Sequence, residues 1–203
     1  MGLTLHYSCS IKNASSLKNL TDEVKDICES MGWEYHLWNE NNLQQFSANE
    51  HKENWKPEDL YGISFSLPEC EPFWLTFLPN GKLSAYINIL AAPYYDDPEW
   101  IYSVSTKTQF AGPDTHICLV KLLKHLQHKY LRDVSVYDEG DYWNTDSTEV
   151  LLQQFSRYEQ AFAMVEKSLK EFKAVAGETP EQMAERLEKF LQKKLRNNED
   201  ASE

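Results

Sequence analysis

Six apolar residues, Phe155, Tyr158, Phe162, Val165, Leu169 and Phe172, recur in alternating steps of three and four. That spacing lays all of them along one stripe of a long helix, the a/d seam of a helix built to pack against another. Asp146 or Ser147 opens this helix and Gly177 ends it. Thr179-Pro180-Glu181 starts a second helix carrying Met183, Leu187, Phe190 and Leu191, and the tail from Asn197 is too polar to order itself. Residues 146–203 are therefore expected to form a helical hairpin. Its seam packs on the preceding chain, or on a second copy in a homodimer.

The first 145 residues alternate between two periods. Leu3, Leu5, Tyr7 and Cys9 face one way and Thr4, His6 and Ser8 the other, as in a strand. Ser15 or Ser16 caps a helix with Leu17, Leu20, Val24, Ile27, Cys28 and Met31 on one face, closed by Gly32. Trp33, Tyr35 and Leu37 restart the period of two. Asn39 to Glu58 is a polar loop. Strands are expected at residues 60–67, 73–78 and 83–89, the last two forming a hairpin at Pro79-Asn80-Gly81-Lys82, where Asn-Gly tolerates positive φ. A Pro- and Tyr-rich loop spans residues 91–100, and a further strand covers 101–106. A helix runs from Pro113 to about Tyr130 on Leu119, Leu122, Leu123 and Leu126, followed by a short buried strand over Val134–Tyr137. The pattern predicts an α+β body with a mostly antiparallel sheet, open to a ferredoxin-like closure, followed by the hairpin.

With 41% hydrophobic residues the chain can build a core. Its net charge of −12 argues against nucleic acid or an anionic membrane as partner and leaves room for a basic protein. No stretch approaches the ~20 apolar residues that span a bilayer. The amino terminus lacks the basic and apolar segments of a signal peptide, and lipidation at Gly2 does not suit its strand-like context. Cys9, Cys28, Cys70 and Cys118 lie far apart without metal-ligand spacing. These features predict a reduced, cytoplasmic protein that holds no cofactor.

Chemistry concentrates in Tyr137-Asp138-Glu139-Gly140-Asp141-Tyr142-Trp143, three carboxylates and flanking aromatics just after a strand. Asp138, Glu139 and Asp141 could hold Mg²⁺ or Ca²⁺ or share protons, although the spacing is not that of an EF-hand and no metal site is expected. The bland reading is an acidic turn before a helix N-terminus. Lys121, His125, His128 and Arg132 form a cationic stripe, either an anion site or a solvated face. His6 and His116 are further candidates, and Lys107 could assist an anion at the following helix N-terminus. Tyr142 and Trp143 join Trp55, Tyr94, Tyr95 and Trp100 as aromatics that line a recognition surface or plug the sheet ends.

Gly2-Leu3-Thr4-Leu5-His6-Tyr7-Ser8, Leu60-Tyr61-Gly62-Ile63-Ser64-Phe65, Cys70-Glu71-Pro72 and the 137–143 run look like an uncharacterised family of bacterial proteins. The resemblance covers the first three quarters of the chain and implies no activity or functional residue. The expected function is a non-enzymatic binding protein that meets a basic partner through an acidic surface. The alternative is a divalent-metal-dependent hydrolase or transferase using Asp138, Glu139 and Asp141.

Overall fold

The computed structural model describes residues 3–48, 50, 52, 54–173, 175 and 177–199. Gly2 and the end of the polar tail, residues 200–203, lie outside them. The chain divides into two compact units, residues 1–155 and 156–203.

The first unit opens with strand β1 (Thr4–Ile11), helix α1 (Ala14–Met31) and strand β2 (Glu34–Trp38). Asn13, rather than Ser15 or Ser16, is the N-cap of α1; its side chain accepts from Ser16 N–H at 2.9 Å. Gly32 closes the helix at φ 68°. There the N–H of Trp33 reaches Cys28 O at 2.9 Å, a Schellman-type end. Leu17, Leu20, Val24 and Cys28 form the buried face, as the 3.6-residue period requires.

Strands β3 (Tyr61–Ser66) and β4 (Phe73–Phe77) pair with β2 in the order β2-β3-β4. After β4 the chain departs from expectation. Gly81 turns at φ 82° and Leu83 bridges back to Phe77, but the second arm ends there, and helix α2 (Tyr86–Ala91) replaces the expected strand. Residues 83–89 alternate as a strand would, but over so short a run that a helix fits as well. Packing decides: Ile89 joins Leu60 and Leu78 in a small cluster, and Asn88 donates to Ser103 O at 2.7 Å.

Strand β5 (Val104–Lys107), helix α3 (Gly112–Lys129) and strand β6 (Leu131–Asp138) complete a second sheet, β5-β1-β6. Every ladder in both sheets is antiparallel, so of the closures open to this element order the chain takes an all-antiparallel one. Strand β6 is an edge rather than a buried strand, with Tyr137 68% exposed. The segment after β4 joins the sheets: Leu83 N–H reaches Cys9 O at 2.9 Å and Gly81 O accepts Ile11 N–H at 2.9 Å, while Ser84 N–H returns to Thr76 O of β4 at 3.0 Å. Between them the Tyr7 hydroxyl donates to Trp74 O (3.1 Å) and accepts from Trp74 N–H (2.9 Å), standing in for a missing strand neighbour.

Tyr7 also stacks on Phe73, which packs on Phe65. One face of the combined sheet is thus continuous and apolar, and the buried residues of α1 and α3 complete the core. Helix α4 (Tyr142–Thr145) is a single turn after β6. Helix α5 (Thr148–Glu171) starts where Ser147 Oγ accepts Val150 N–H at 3.3 Å, and its Leu151 and Phe155 are buried in the first unit.

In the second unit, α5 is followed by helix α6 (Pro180–Glu199), so Asn197–Glu199 are helical rather than tail. Thr179 and Gln182 cap α6 reciprocally. Phe172 meets Phe190 at 5.7 Å and lies under Arg186, which pairs with Glu178. The stripe is only partly covered: Phe162 is 54% and Leu169 47% exposed. Among the described residues no helix is long and apolar enough to cross a membrane.

Candidate functional site

Strand β6 delivers Asp138 to the helix-facing side of the sheet, opposite Leu5, where α3 presents His116. Both side chains are wholly buried. Asp138 Oδ1 accepts Gly140 N–H at 2.7 Å and Oδ2 accepts Trp143 N–H at 2.8 Å, so the carboxylate shapes the turn that follows it. His116 Nε2 lies 2.9 Å from Oδ1, but no acceptor stands in line with this nitrogen. The contact is electrostatic rather than a straight hydrogen bond. Burial pushes the Asp138 carboxyl up, yet His116 and the two amides outweigh it and hold the group below its usual range.

On the other side of the ring, Nδ1 lies 2.8 Å from Thr108 Oγ1. Leu3 O accepts both the Thr108 N–H at 2.9 Å and the Thr108 hydroxyl at 3.2 Å. Phe155 packs edge-on against the imidazole, and a Cβ on Gly140 would stand 3.0 Å from Nε2 and 2.5 Å from Leu151 Cδ1. Hydroxyl, imidazole and carboxylate lie in the order of a catalytic triad, but no face of the group opens to a substrate. The constellation ties α3, β6 and the start of α5 together.

The other expected site residues scatter. Tyr142 is buried. Glu139 turns back to accept Thr4 N–H at 2.8 Å, and Asp141, at φ 54°, accepts from Asn144 at 3.0 Å. Trp143 lies under Lys124, whose ammonium pairs with Asp146. His6 and Lys107 lie on the sheet face turned away from His116, where His6 meets Tyr137 at 5.8 Å. Among the described residues no group of three or more His, Cys, Asp or Glu side chains could hold a metal ion. Four free cysteines sit in surroundings that raise their thiols; burial pushes Cys28 and Cys70 up to about 11. None is an activated nucleophile.

Two members of the cationic stripe, His125 and Arg132, tie elements together. Glu23 of α1 accepts from His125 (2.6 Å), Lys129 (2.9 Å) and Tyr130 (2.5 Å). Burial raises the Glu23 carboxyl, but these three donors prevail and lower it to about 2. Arg132 turns to Asp133 and to Ile11 O.

Concave surface lies elsewhere. A cleft of about 500 Å³ is lined by Trp55, Ile89, Pro93, Tyr95, Asp96 and Ile101 among others. Tyr95 stacks on Trp100 at 3.8 Å, and Tyr94 is 86% exposed. Loop aromatics that sequence reasoning grouped together thus split, with Trp55, Tyr94, Tyr95 and Trp100 in one region and Tyr142 and Trp143 on the far turn. Thr108 and Glu23 carried no local signal, because their partners are distant in the chain. Compared with known proteins, the chain matches no family model, no curated protein and no solved structure.

Proposed function

We propose that this is a non-enzymatic binding protein whose acidic body receives a basic protein partner. The observation that supports this most is the Trp55–Tyr95 cleft, apolar on its walls, with Asp96 and one cation, Lys56, in its lining. Asp97 and Glu99 follow it in the chain. Aromatic side chains that are anchored yet accessible are the residues that dominate binding interfaces. By contrast, Asp138 and His116, the groups best suited to catalysis, are sealed in the core.

Charge supports the same reading. Residues 1–155 hold 11 Lys and Arg against 22 Asp and Glu, a net −11, so the second unit is close to neutral. An acidic body steers a basic partner at low salt and loses it as screening shortens. The test is fluorescence anisotropy with an arginine- and lysine-rich peptide across a salt series. Binding that weakens steeply with salt and drops at least tenfold in a Trp55→Ala/Tyr95→Ala double variant is expected; salt-independent binding, or none, refutes the reading. If Mg²⁺, Mn²⁺ or Ca²⁺ raises the melting temperature of the wild type and not of Asp138→Asn, the metal-dependent alternative takes its place.

Self-association has its own support in the exposed Phe162 and Leu169 of α5. A homodimer through this stripe predicts a solution mass of twice 23.7 kDa, reverting to one copy in Phe162→Ser/Leu169→Ser. A cytoplasmic setting, and membership of the bacterial family that the chain resembles, accord with the free cysteines and the quoted runs.

A further inference from the structure

The sheet face turned away from α1 and α3 carries a second concavity, and the strand register explains it. His36, Ser64 and Trp74 form one row across β2, β3 and β4, and Glu34 stands opposite Ser66 in the next. The central strand contributes only Gly62, Ser64 and Ser66 on this face, while both neighbours contribute long side chains. The result is a trough along β3 of about 220 Å³, with Ser64 and Ser66 as floor, Glu34 and His36 on one wall, and Pro72 and Trp74 on the other. That volume is below the ~300–1,000 Å³ of small-molecule pockets and suits a single long side chain.

The chemistry of the walls is selective. Glu34 is exposed, and among the described residues no cation pairs with it. The Trp38 indole donates to Ser64 Oγ at 3.0 Å and lies 5.7 Å from Trp74. Trp38 also packs against the Leu60–Leu78–Ile89 cluster, as do Trp55 and Ile101 of the larger cleft. Trough and cleft are therefore neighbours around one indole.

We propose that this trough receives an arginine side chain of the basic partner. A guanidinium has donors on every edge and no acceptor, and its plane stacks on an indole face. Glu34 supplies the carboxylate, Trp74 the π face, Pro72 an apolar bed for the stem and the serine hydroxyls further acceptors. A lysine ammonium cannot stack in this way and keeps more of its hydration, so it binds less well. This assignment rests on the reading of the protein as a receptor for a basic partner.

The test uses the full chain and a fluorescent hexa-arginine peptide, with hexa-lysine beside it. Glu34→Gln, an exposed change, and Trp74→Ala are each expected to raise the Kd at least threefold. Asp26→Asn on the exposed face of α1, which removes the same charge, is expected to leave it unchanged. Hexa-lysine is expected to bind the wild type at least threefold more weakly than hexa-arginine. Equal affinity of the wild type and Glu34→Gln for hexa-arginine, or equal binding of the two peptides, overturns the trough as an arginine site and leaves the receptor reading standing. No binding of either peptide at low salt removes both.

Discussion

A buried carboxylate is tolerated only where its charge is met, and Asp138 is met on three sides by His116, Gly140 N–H and Trp143 N–H. Removing the charge leaves an imidazole without its partner in the core. Asp138→Asn is expected to lower stability by roughly 3 kcal/mol in urea denaturation at pH 7; an unchanged midpoint would show that the pair is dispensable. The folded-state carboxyl titrates below its ordinary value, so its contribution is complete above pH ~4 and is lost as the pH falls through the lower folded value. Glu23 adds a second such loss, between pH ~4.3 and about 2, diminished by solvent because its side chain stays 25% exposed. Acid titration of the unfolding midpoint is therefore expected to be shallower in Glu23→Gln than in the wild type. Sequence reading reached Asp138 and His116 separately, as candidates for chemistry. Nothing local marked them as partners, since 22 positions and a whole helix separate them.

Between elements, the tightest constraint is the passage from one three-stranded sheet to the other. Tyr7 spans it with one hydroxyl serving both the N–H and the C=O of Trp74. Tyr7→Phe keeps the ring and its stacking on Phe73 but strands two polar backbone groups, a loss of about 2 kcal/mol or more. Chemical denaturation measures it, and a change below ~0.5 kcal/mol would contradict the stitching role. Gly62 is a second constraint. At φ 122° it adopts a backbone that side chains disfavour, and a Cβ there would stand 2.4 Å from Leu75 O. Gly62→Ala is expected to cost at least ~2 kcal/mol in the same assay, whereas the same change at an ordinary strand position gains up to ~1 kcal/mol. Elements with a long period were legible: α1, α3 and both terminal helices stand where apolar spacing puts them, although Asn13 caps α1 and α5 ends at Glu171, short of Gly177. The arm after Gly81 was not, because seven residues of alternating apolar character fit a strand or a short helix equally well. Ile89 chose the helix by docking beside Leu60 and Leu78.

At the level of the molecule, charge and surface are unevenly shared. The body carries a net −11 and the neighbouring trough and cleft, while the α5–α6 unit is almost neutral and shows Phe162 and Leu169 to solvent. Raising the salt from 0.1 M to 1 M shortens the Debye length from ~10 Å to ~3 Å, so the affinity for a basic peptide is expected to fall at least tenfold over that range. A fall of less than twofold would refute the charge-steered reading. The amphipathic periods of the chain dictate its helices, because these depend on residues a few positions apart, and its composition alone sets its negative charge. Which carboxylate is sealed and which is offered follows from pairings such as Leu5 with Asp138, more than a hundred residues distant, and Ser64 with both His36 and Trp74. Register between remote strands assigns each side chain to the core or to solvent, and a shift of one residue would exchange the two.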